Sequence, residues 1–339
     1  KICAKEIINL YFCGMHVQID PAFSRMDQLS LSGEPFFFMV DYLKEIIEVH
    51  TVEELPNSGL CIDFKGVKSP VVSCEFTNEI YWLPHPESLE KYAEGFYKVQ
   101  KHLRAGDSYL VNYTRKTPVK TNLTLEEIYY RSKARYKLLY QDKFVMFSPE
   151  TFVEIKGDRI TTHPMKGTID ASLPYAVNKL KNSPKEKAEH YTVVDLLRND
   201  LSLVADEVKV DDFQRVDLIR TQSKDLYAMS SEISGRLKKE FRGRIGSIMN
   251  LLLPAGSVTG APKPKTVEII REAEGYSRGW YTGVCGWFDG QNLDTCVIIR
   301  FVEQENNQLY FKSGGGITHM SELETEYEEM KNKIYVPVY

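Results

Sequence analysis

The chain has 339 residues, a net charge of −4 at pH 7, 42% hydrophobic residues and 27% charged residues. This length can bury a large core, either in one large α/β domain or in two smaller ones. The composition is that of an ordinary soluble globular protein and does not indicate disorder. The slightly acidic charge gives no reason to expect a nucleic acid or an anionic membrane surface as a partner.

No apolar run approaches the ~18 residues that a membrane span needs, and the longest apolar cluster, Phe36–Val40, fits a buried strand. The N-terminus shows no signal-peptide pattern, although Lys1 is not an initiator residue. No pair of cysteines has CxxC spacing, which favours buried thiols over a disulfide framework or a zinc site. We therefore expect a cytoplasmic protein. The cysteines are Cys3, Cys13, Cys61, Cys74, Cys285 and Cys296.

The first 80 residues predict a β-rich region without visible chemistry. Its strands are expected at Pro35–Tyr42, Gly59–Lys65 and Val71–Phe76, separated by polar turns. A helix over Ser88–Leu103 and a strand over Ser108–Thr117 follow.

A capping box that begins at Thr124 predicts a helix running to about Tyr140. A short strand at Val145–Phe147 comes next. The following hairpin pairs Thr151–Ile155 with Ile160–Thr162.

Directly after this hairpin, Lys166 lies between Pro164 and Gly167, which would aim its side chain at one fixed point. Such a lysine is either a solvated turn residue or an amine that attacks or positions a substrate. Glu150 precedes it by 16 residues. Because opposite ends of a short hairpin can lie close together, the two groups could face one cavity or form a surface salt bridge.

Ser183 and Pro184 predict the start of a helix that reaches about Asp200. Glu186, Glu189 and His190 share one face of it. That face is either a solvated acidic surface or, because the helix is densely apolar, part of a buried site.

Gly246–Leu253 predicts another helix, and Lys265–Glu274 predicts the next one. The loop between them, Pro254–Lys263, is rich in glycine and hydroxyl groups. It suits an anion at a helix N-terminus, or it is purely structural. It is not a P-loop, because no Gly-Lys-Ser/Thr triplet exists.

Antiparallel strands are then predicted at Trp280–Phe288, Leu293–Glu303 and Leu309–Lys312. Arg300 would lie inside the second strand, where a guanidinium needs either a ligand carboxylate or an internal ion pair. Gly314–Gly316 would let the backbone approach a ligand closely.

The last helix is predicted to begin at Ser321, with Glu324 completing a capping box. It carries an apolar stripe and, beside it, a charged stripe that is either exposed or folded towards a site. The apolar stripe is Leu323, Tyr327, Met330 and Ile334, and the charged stripe is Glu322, Glu326, Glu329 and Lys333.

The order of these motifs resembles that of the chorismate-utilising enzymes, which include anthranilate, aminodeoxychorismate, isochorismate and salicylate synthases. The resemblance is specific from about residue 85 to the end and looser over the first 80 residues. The motifs are Ser148-Pro149-Glu150, Pro164–Thr168, Ala188-Glu189-His190 with Val194–Leu201, Gly256–Lys263, Tyr281-Thr282-Gly283 and Gly314–Ile317.

In having a lysine at position 166, the chain resembles aminodeoxychorismate synthase component I. The alternative is anthranilate synthase component I, which has a small residue at this position. The resemblance implies an α/β (α+β) fold in a single domain over 1–339. Two stacked, mostly antiparallel sheets flanked by helices would hold the site between them.

The resemblance also implies roles for individual residues. Lys166 would be a nucleophile that adds to C2 of chorismate, and Glu150 the acid that protonates the departing C4 hydroxyl. Glu189 and Glu329 would hold Mg²⁺, with Glu186 and Glu326 orienting water on the metal. The implied substrate-binding residues are Arg300, Tyr281, Thr259, Gly260, Gly314, Gly315, Gly316 and Lys333.

Ammonia would come from a separate glutamine amidotransferase subunit, because the chain has no Gly-x-Cys-x-Gly nucleophile. Two positions depart from the family pattern. Leu110 replaces the glutamine, or the catalytic lysine of isochorismate synthases, and argues against water addition at C2. Ala228 stands where a histidine is frequent, which puts in doubt any mechanism that depends on that histidine.

Overall fold

The computed structural model describes residues 20–69, 79–219 and 225–337. The predicted strand at Val71–Phe76 lies outside these ranges. The described strands are β1 (Phe36–Val40), β2 (Ile47–Thr51), β3 (Leu60–Phe64), β4 (Val67–Lys68), β5 (Trp82–Pro84), β6 (Leu110–Thr121), β7 (Tyr136–Tyr140), β8 (Phe144–Ser148), β9 (Thr151–Lys156), β10 (Arg159–Thr162), β11 (Met165–Asp170), β12 (Ala205–Ile219), β13 (Leu226–Leu237), β14 (Gly260–Ala261), β15 (Val284–Phe288), β16 (Asn292–Val297), β17 (Phe301–Glu305) and β18 (Gln308–Ile317). The described α-helices are α1 (Pro21–Ser32), α2 (Leu89–Ala105), α3 (Leu125–Arg131), α4 (Ala176–Asn182), α5 (Pro184–Val204), α6 (Ile245–Leu252), α7 (Lys263–Glu274) and α8 (Leu323–Asn332).

The strands form two sheets. The first has the order β11-β13-β10-β9-β16-β15-β1-β2, with β12 also pairing with β13. The second has the order β14-β6-β18-β17-β8-β7-β3-β4, with β5 also pairing with β6. Each pairing between described strands is antiparallel. The predicted fold class is therefore confirmed.

The two sheets stack face to face, and β1 shows how the sequence specifies this. All five of its side chains are fully buried, and successive side chains of a strand point to opposite faces. Phe37 and Met39 join a cluster that draws on strands of both sheets, whereas Phe36, Phe38 and Val40 join a cluster formed with helices. The continuous apolar run thus marks a strand buried on both faces.

Helices cover the outer face of each sheet. Side chains of α1, α5 and α6 pack on the first sheet, and those of α2, α3, α7 and α8 pack on the second. The caps predicted at Thr124 and Ser183 are present: the Thr124 hydroxyl accepts a hydrogen bond from the Glu127 amide, and the Ser183 hydroxyl accepts one from the Glu186 amide. The Ser88 hydroxyl also caps its helix, by accepting a hydrogen bond from the Lys91 amide. The helix after Ser183 continues to Val204, beyond the predicted end.

The predicted helix from Thr124 to Tyr140 is wrong in its second half. Its capping box is present, but the helix ends at Arg131, and Tyr136–Tyr140 forms β7 between β3 and β8. Lys137 is only 8% exposed, and its Nζ donates to the carbonyl of Ser132 at 3.1 Å. Pairing on both sides of β7 outweighs the local helix propensity.

The predicted single strand Leu293–Glu303 is also wrong. It is two strands, β16 in the first sheet and β17 in the second, and residues Ile298–Arg300 cross between the sheets. Arg300 lies at this crossing with φ of 52°, outside either strand. Thr282 also has a positive φ, 64°, so the strand predicted from Trp280 starts only at Val284.

The last helix begins one residue later than predicted. Its N-cap is Glu322, without a side-chain cap, whereas the Ser321 hydroxyl accepts a hydrogen bond from the Thr318 amide at 3.1 Å. The apolar stripe is correct, because Met330 and Ile334 are buried on the second sheet.

The sequence did not predict β2 or the long β12–β13 hairpin. Among the described residues, no helix is long and apolar enough to span a bilayer.

The contact between α1 and α6 depends on a glycine. A Cβ at Gly246 would lie 1.9 Å from the carbonyl oxygen of Phe23, so the two helices would have to move apart. We expect Gly246→Ala to lower the free energy of unfolding by roughly 1–3 kcal/mol through overpacking. Urea denaturation measures this, with Leu31→Ala as the control because Leu31 on α1 is 57% exposed. Equal stabilities of the two variants would contradict the expectation.

Candidate active site

The crossing between the two sheets brings several predicted site residues together. The Val297 amide donates to the carbonyl of Glu150 at 3.1 Å, and the Phe147 amide donates to the carbonyl of Arg300 at 3.2 Å. Glu150 is thereby held at the end of β16 and Arg300 at the end of β8. Both residues follow strand ends, which is where functional side chains are commonly presented by a rigid scaffold.

Tyr281 lies at the same crossing and is only 4% exposed. Burial raises the pKa of its phenol, the charge of Arg278 opposes this rise, and Glu274, Arg300 and Glu150 exert smaller effects. Tyr281 is therefore a neutral hydrogen-bond donor near neutral pH. Because the charges of both Glu150 and Arg300 act on it, the three side chains occupy one region.

The Glu150 carboxylate has a hydroxyl partner. The Ser257 Oγ donates to Glu150 Oε1 at 2.7 Å from a short 3₁₀ turn, Gly256–Val258. A hydroxyl can donate to a carboxylate and can accept from a carboxylic acid. The pair can therefore stay hydrogen-bonded in both protonation states of Glu150, as a proton-donating group requires. The sequence offered the hydroxyl-rich loop as a signal for Ser257 but did not assign it this role.

A buried ion pair between Arg278 and Glu274 lies near Tyr281. Arg278 donates from Nη2 to Glu274 Oε1 at 2.6 Å and from Nε to Glu274 Oε2 at 2.9 Å. The two side chains are 1% and 0% exposed. A bidentate pair of this kind fixes both position and orientation. The pair was not predicted, although a glutamate and an arginine four residues apart at the end of a predicted helix were a usable signal.

The remaining donors of Arg278 bind backbone and hydroxyl groups around the site. Nη1 donates to the carbonyl of Val258 at 2.9 Å and to Thr282 Oγ1 at 3.2 Å. Nη2 also donates to the carbonyl of Asn112 at 2.5 Å. Glu274 Oε1 in turn accepts from both the amide and the hydroxyl of Thr114 at 2.8 Å. The pair therefore ties β6, the Gly256–Val258 turn and the residues before β15 to one another.

Lys166 lies on β11, where its backbone pairs with Met229 of β13. The register shifts immediately afterwards, and Gly167 has φ of 72°. A Cβ at Gly167 would lie 2.6 Å from Glu186 Oε2, so the Glu186 carboxylate packs against the backbone next to Lys166. A glycine is needed at position 167 because its φ is positive and because a side chain there would collide with the Glu186 carboxylate. The role of Lys166 as a nucleophile stays a prediction.

Glu189 and His190 do not form a solvated face, because they are 9% and 0% exposed. His190 Nε2 lies 2.7 Å from the Ser231 hydroxyl, which also accepts a hydrogen bond from the Gln214 amide. This bond joins α5 to β13 and fixes the turn of α5 that carries Glu189. Ser231 was not singled out in the sequence, since no local pattern connects it to His190.

Helix α8 places acidic side chains against the glycine run. A Cβ at Gly315 would lie 3.1 Å from Glu329 Oε1 and 3.6 Å from Glu326 Oε2. Glu326 is 2% exposed. Lys333 Nζ donates to Glu329 Oε1 and to the carbonyl of Gly314, both at 2.7 Å. Gly314–Gly316 belong to β18 and pair with β6, so the glycines let carboxylates approach a strand.

The loop containing Thr259 and Gly260 is tightly packed. Gly260 has φ of 122°, and a Cβ there would lie 1.8 Å from the carbonyl oxygen of Leu110. The Thr259 hydroxyl donates within the loop, to the carbonyl of Ala255 at 2.8 Å. Leu110 is 1% exposed and belongs to the apolar cluster on the first sheet. Position 110 therefore supplies no polar group for chemistry.

The four predicted glutamates fall into two groups. Glu326 and Glu329 lie beside Gly315, whereas Glu186 lies beside Gly167 with Glu189 on the same helix. In the described ranges, no three His, Cys, Asp or Glu side chains converge as a metal cage. Oxygen donors of this kind suit Mg²⁺, which commonly keeps several waters and takes only one or two protein carboxylates. The carboxylate chemistry of these residues suits Mg²⁺, and the binding of one ion by Glu189 and Glu329 stays a prediction.

Residues 48–338 match the family described as chorismate binding enzyme. An uncharacterized PabA-like protein of Pasteurella multocida is 47% identical over 313 residues, which cover 92% of this chain and 97% of that protein. Aminodeoxychorismate synthase component 1 of Escherichia coli is 33% identical over 263 residues, which cover 72% of this chain and 56% of that protein. The chain thus spans little more than half the length of that relative.

A solved structure agrees with the fold. The menaquinone-specific isochorismate synthase of Escherichia coli superposes with a TM-score of 0.71 over 95% of this chain and 82% of that chain, at 15% sequence identity. At this identity the likeness concerns the fold alone.

The contribution of the buried ion pair of Glu274 and Arg278 to the stability of the fold can be tested. Glu274→Gln leaves the guanidinium of Arg278 buried without its counter-charge, and we expect a loss of about 3–5 kcal/mol in the free energy of unfolding. Urea denaturation measures the loss. The double variant Glu274→Leu/Arg278→Met is the control, since it removes both charges and should recover most of the stability. A single variant as stable as the wild type would contradict the structural role of the pair.

Proposed function

Because the chain belongs to the chorismate binding enzymes, we propose that it is an aminodeoxychorismate synthase that converts chorismate and ammonia to 4-amino-4-deoxychorismate. The observation that carries the proposal is the position of Lys166 on β11, between Pro164 and Gly167. Gly167 has a positive φ that residues other than glycine rarely adopt. Relatives named aminodeoxychorismate synthase component 1 support the choice of reaction. The product is the precursor of p-aminobenzoate and hence of folate.

In the proposed reaction, the neutral amine of Lys166 forms a bond to C2 of chorismate, the ring double bonds shift, and the C4–O bond breaks. Glu150 gives its proton to the departing hydroxyl, which leaves as water. Ammonia then forms a bond to C4, the double bonds shift back, and the C2–N bond to Lys166 breaks. The lysine leaves as the neutral amine that began the reaction, since its nitrogen kept both protons in the adduct, and the proton that the new C4 ammonium group loses returns to Glu150.

The geometry around Glu150 supports its role. Its carboxyl oxygen bonds the Ser257 hydroxyl, which can accept as well as donate, so protonation does not leave an unpaired group. The Arg300 guanidinium and the neutral Tyr281 phenol lie at the same crossing. Arg300 and the Tyr281 hydroxyl are suited to bind a substrate carboxylate beside the acid.

Glu189 and Glu329 would hold Mg²⁺, with Glu186 and Glu326 orienting metal-bound water. The ion would offset the negative charge of a substrate carboxylate. Lys333 and the Gly314–Gly316 backbone would complete the contacts to the substrate, with Thr259 and Gly260 packing beside its ring.

Leu110 supports amination over hydration, whereas Ala228 argues against a mechanism that depends on a histidine at that position. Leu110 lies in an apolar cluster, and Ala228 is fully buried and pairs with Thr168 on β11. Neither position can deprotonate water for attack at C2. Ammonia would come from a separate glutamine amidotransferase subunit, in the cytoplasm, with residues 1–339 acting as a single chorismate-utilising domain.

The reaction is tested by incubating the full chain with chorismate, MgCl₂ and ammonium chloride and identifying the products by mass spectrometry. We expect 4-amino-4-deoxychorismate, formed without a glutaminase because ammonium supplies the nucleophile. Omission of Mg²⁺, with a chelator present, should abolish turnover. Anthranilate as the main product would overturn the proposal in favour of anthranilate synthase component I.

The nucleophile is tested with Lys166→Ala. We expect loss of aminodeoxychorismate formation by at least about 100-fold, since the variant lacks the covalent route, together with loss of any chorismate adduct in the protein mass. Lys156→Ala is the matched control, because the Lys156 side chain is 69% exposed on the neighbouring hairpin. Unchanged turnover in Lys166→Ala would refute the assignment.

A further inference from the structure

Tyr92 is a fully buried tyrosine of α2 that lies between two other aromatic rings. Its ring centroid lies 5.0 Å from that of Tyr113 on β6 and 5.4 Å from that of Tyr327 on α8. Tyr113 pairs with Gly315 across the strands, and Tyr327 follows Glu326 in the helix. Tyr92 therefore projects into the space where α2, α8 and the glycine run meet.

The hydroxyl of Tyr92 is one of several buried side-chain polar atoms in the described ranges without a hydrogen-bond partner, and it is the one that lies in the aromatic cluster beside the glycine run. Buried hydroxyl groups are nearly always paired, since desolvation without a bond is unfavourable. The neighbouring Tyr113 follows the rule, and its hydroxyl donates to the carbonyl of Tyr92 at 3.1 Å. An orphaned hydroxyl of this kind needs an explanation other than packing.

Two carboxylates lie close enough to act on this hydroxyl. Burial and then Tyr113, Glu326 and Glu329 raise the pKa of Tyr92. The phenol is thus a neutral donor at any working pH. Glu326 is 2% exposed, and both glutamates approach the backbone of Gly315.

We propose that the Tyr92 hydroxyl is a positioning group for the magnesium-loaded site, donating a hydrogen bond to an oxygen acceptor that becomes available only when the ion and substrate bind. The acceptor is a carboxylate oxygen of Glu326 or Glu329, or a water on the ion. This inference rests on the proposed function, because it assumes that these glutamates serve a metal. It goes beyond that function in assigning a helix-α2 residue to the site.

The proposal predicts opposite effects of Tyr92→Phe on the metal-free and the loaded protein. Without metal the hydroxyl has no partner, so its removal should leave the melting temperature unchanged or raise it. With chorismate present, the Mg²⁺ concentration that gives half of the metal-induced rise in melting temperature should increase about 10-fold, as for other groups that orient metal ligands. Thermal unfolding across a MgCl₂ titration measures both quantities on the full chain.

Tyr113→Phe is the matched control. It removes a hydroxyl from the same aromatic cluster, but this hydroxyl is already paired with a backbone carbonyl. We expect a lower melting temperature in metal-free protein and an unchanged Mg²⁺ midpoint. Tyr92→Phe should thus shift the Mg²⁺ midpoint without lowering the metal-free melting temperature, whereas Tyr113→Phe should lower only the metal-free melting temperature.

Two results would overturn the proposal. If Tyr92→Phe lowers the metal-free melting temperature and keeps the wild-type Mg²⁺ midpoint, the hydroxyl is structural. If the wild type itself shows no Mg²⁺ response with chorismate, the magnesium site fails and this inference fails with it. Product analysis of the wild type separates the two cases, since only in the second does the proposed reaction also fail.

Discussion

The ion pair of Glu274 and Arg278 is the interaction on which the arrangement of the site depends. It is buried, bidentate and further bonded to backbone groups of β6 and of the Gly256–Val258 turn. A buried charge pair contributes little net stability when compared with an apolar pair, but it tolerates only one geometry. The ion pair instead fixes the positions of the groups that it bonds, and these groups lie next to predicted site residues.

The crossing from β16 to β17 has a related effect. A chain that passes from one sheet to the other must leave the regular pleat, and Arg300 does so with a positive φ. Its guanidinium lies over the Tyr335 ring, 5.4 Å from the ring centroid, and its charge acts on Tyr281. Gly260 and Gly315 allow the same close approach elsewhere, since each would place a Cβ within about 3 Å of a neighbouring oxygen. At this crossing, Thr282 and Arg300 are non-glycine residues with positive φ, which is a strained backbone conformation.

The sequence predicted those features that depend on local chemistry. Capping at Thr124 and Ser183, the hairpin before Lys166 and the apolar stripe of α8 all follow from spacing within a few residues. It failed where distant pairing decides the outcome. Tyr136–Tyr140 has helix-compatible residues but lies between β3 and β8, and Ser231 meets His190 across 41 positions. Such contacts leave no periodic trace in one sequence.

The chemistry of the proposed reaction follows as much from what the site lacks as from what it contains. Leu110 and Ala228 are buried apolar residues at the two positions where the sequence departs from the family pattern, so neither can exchange a proton. Their packing leaves Lys166 and Glu150 as the pair to which proton transfer is assigned in the proposal. An amine attacks only when it is neutral, and an acid donates only when protonated. The Glu186 carboxylate approaches the backbone beside Lys166, and the Ser257 hydroxyl bonds Glu150, so each of the two groups has its own polar neighbour.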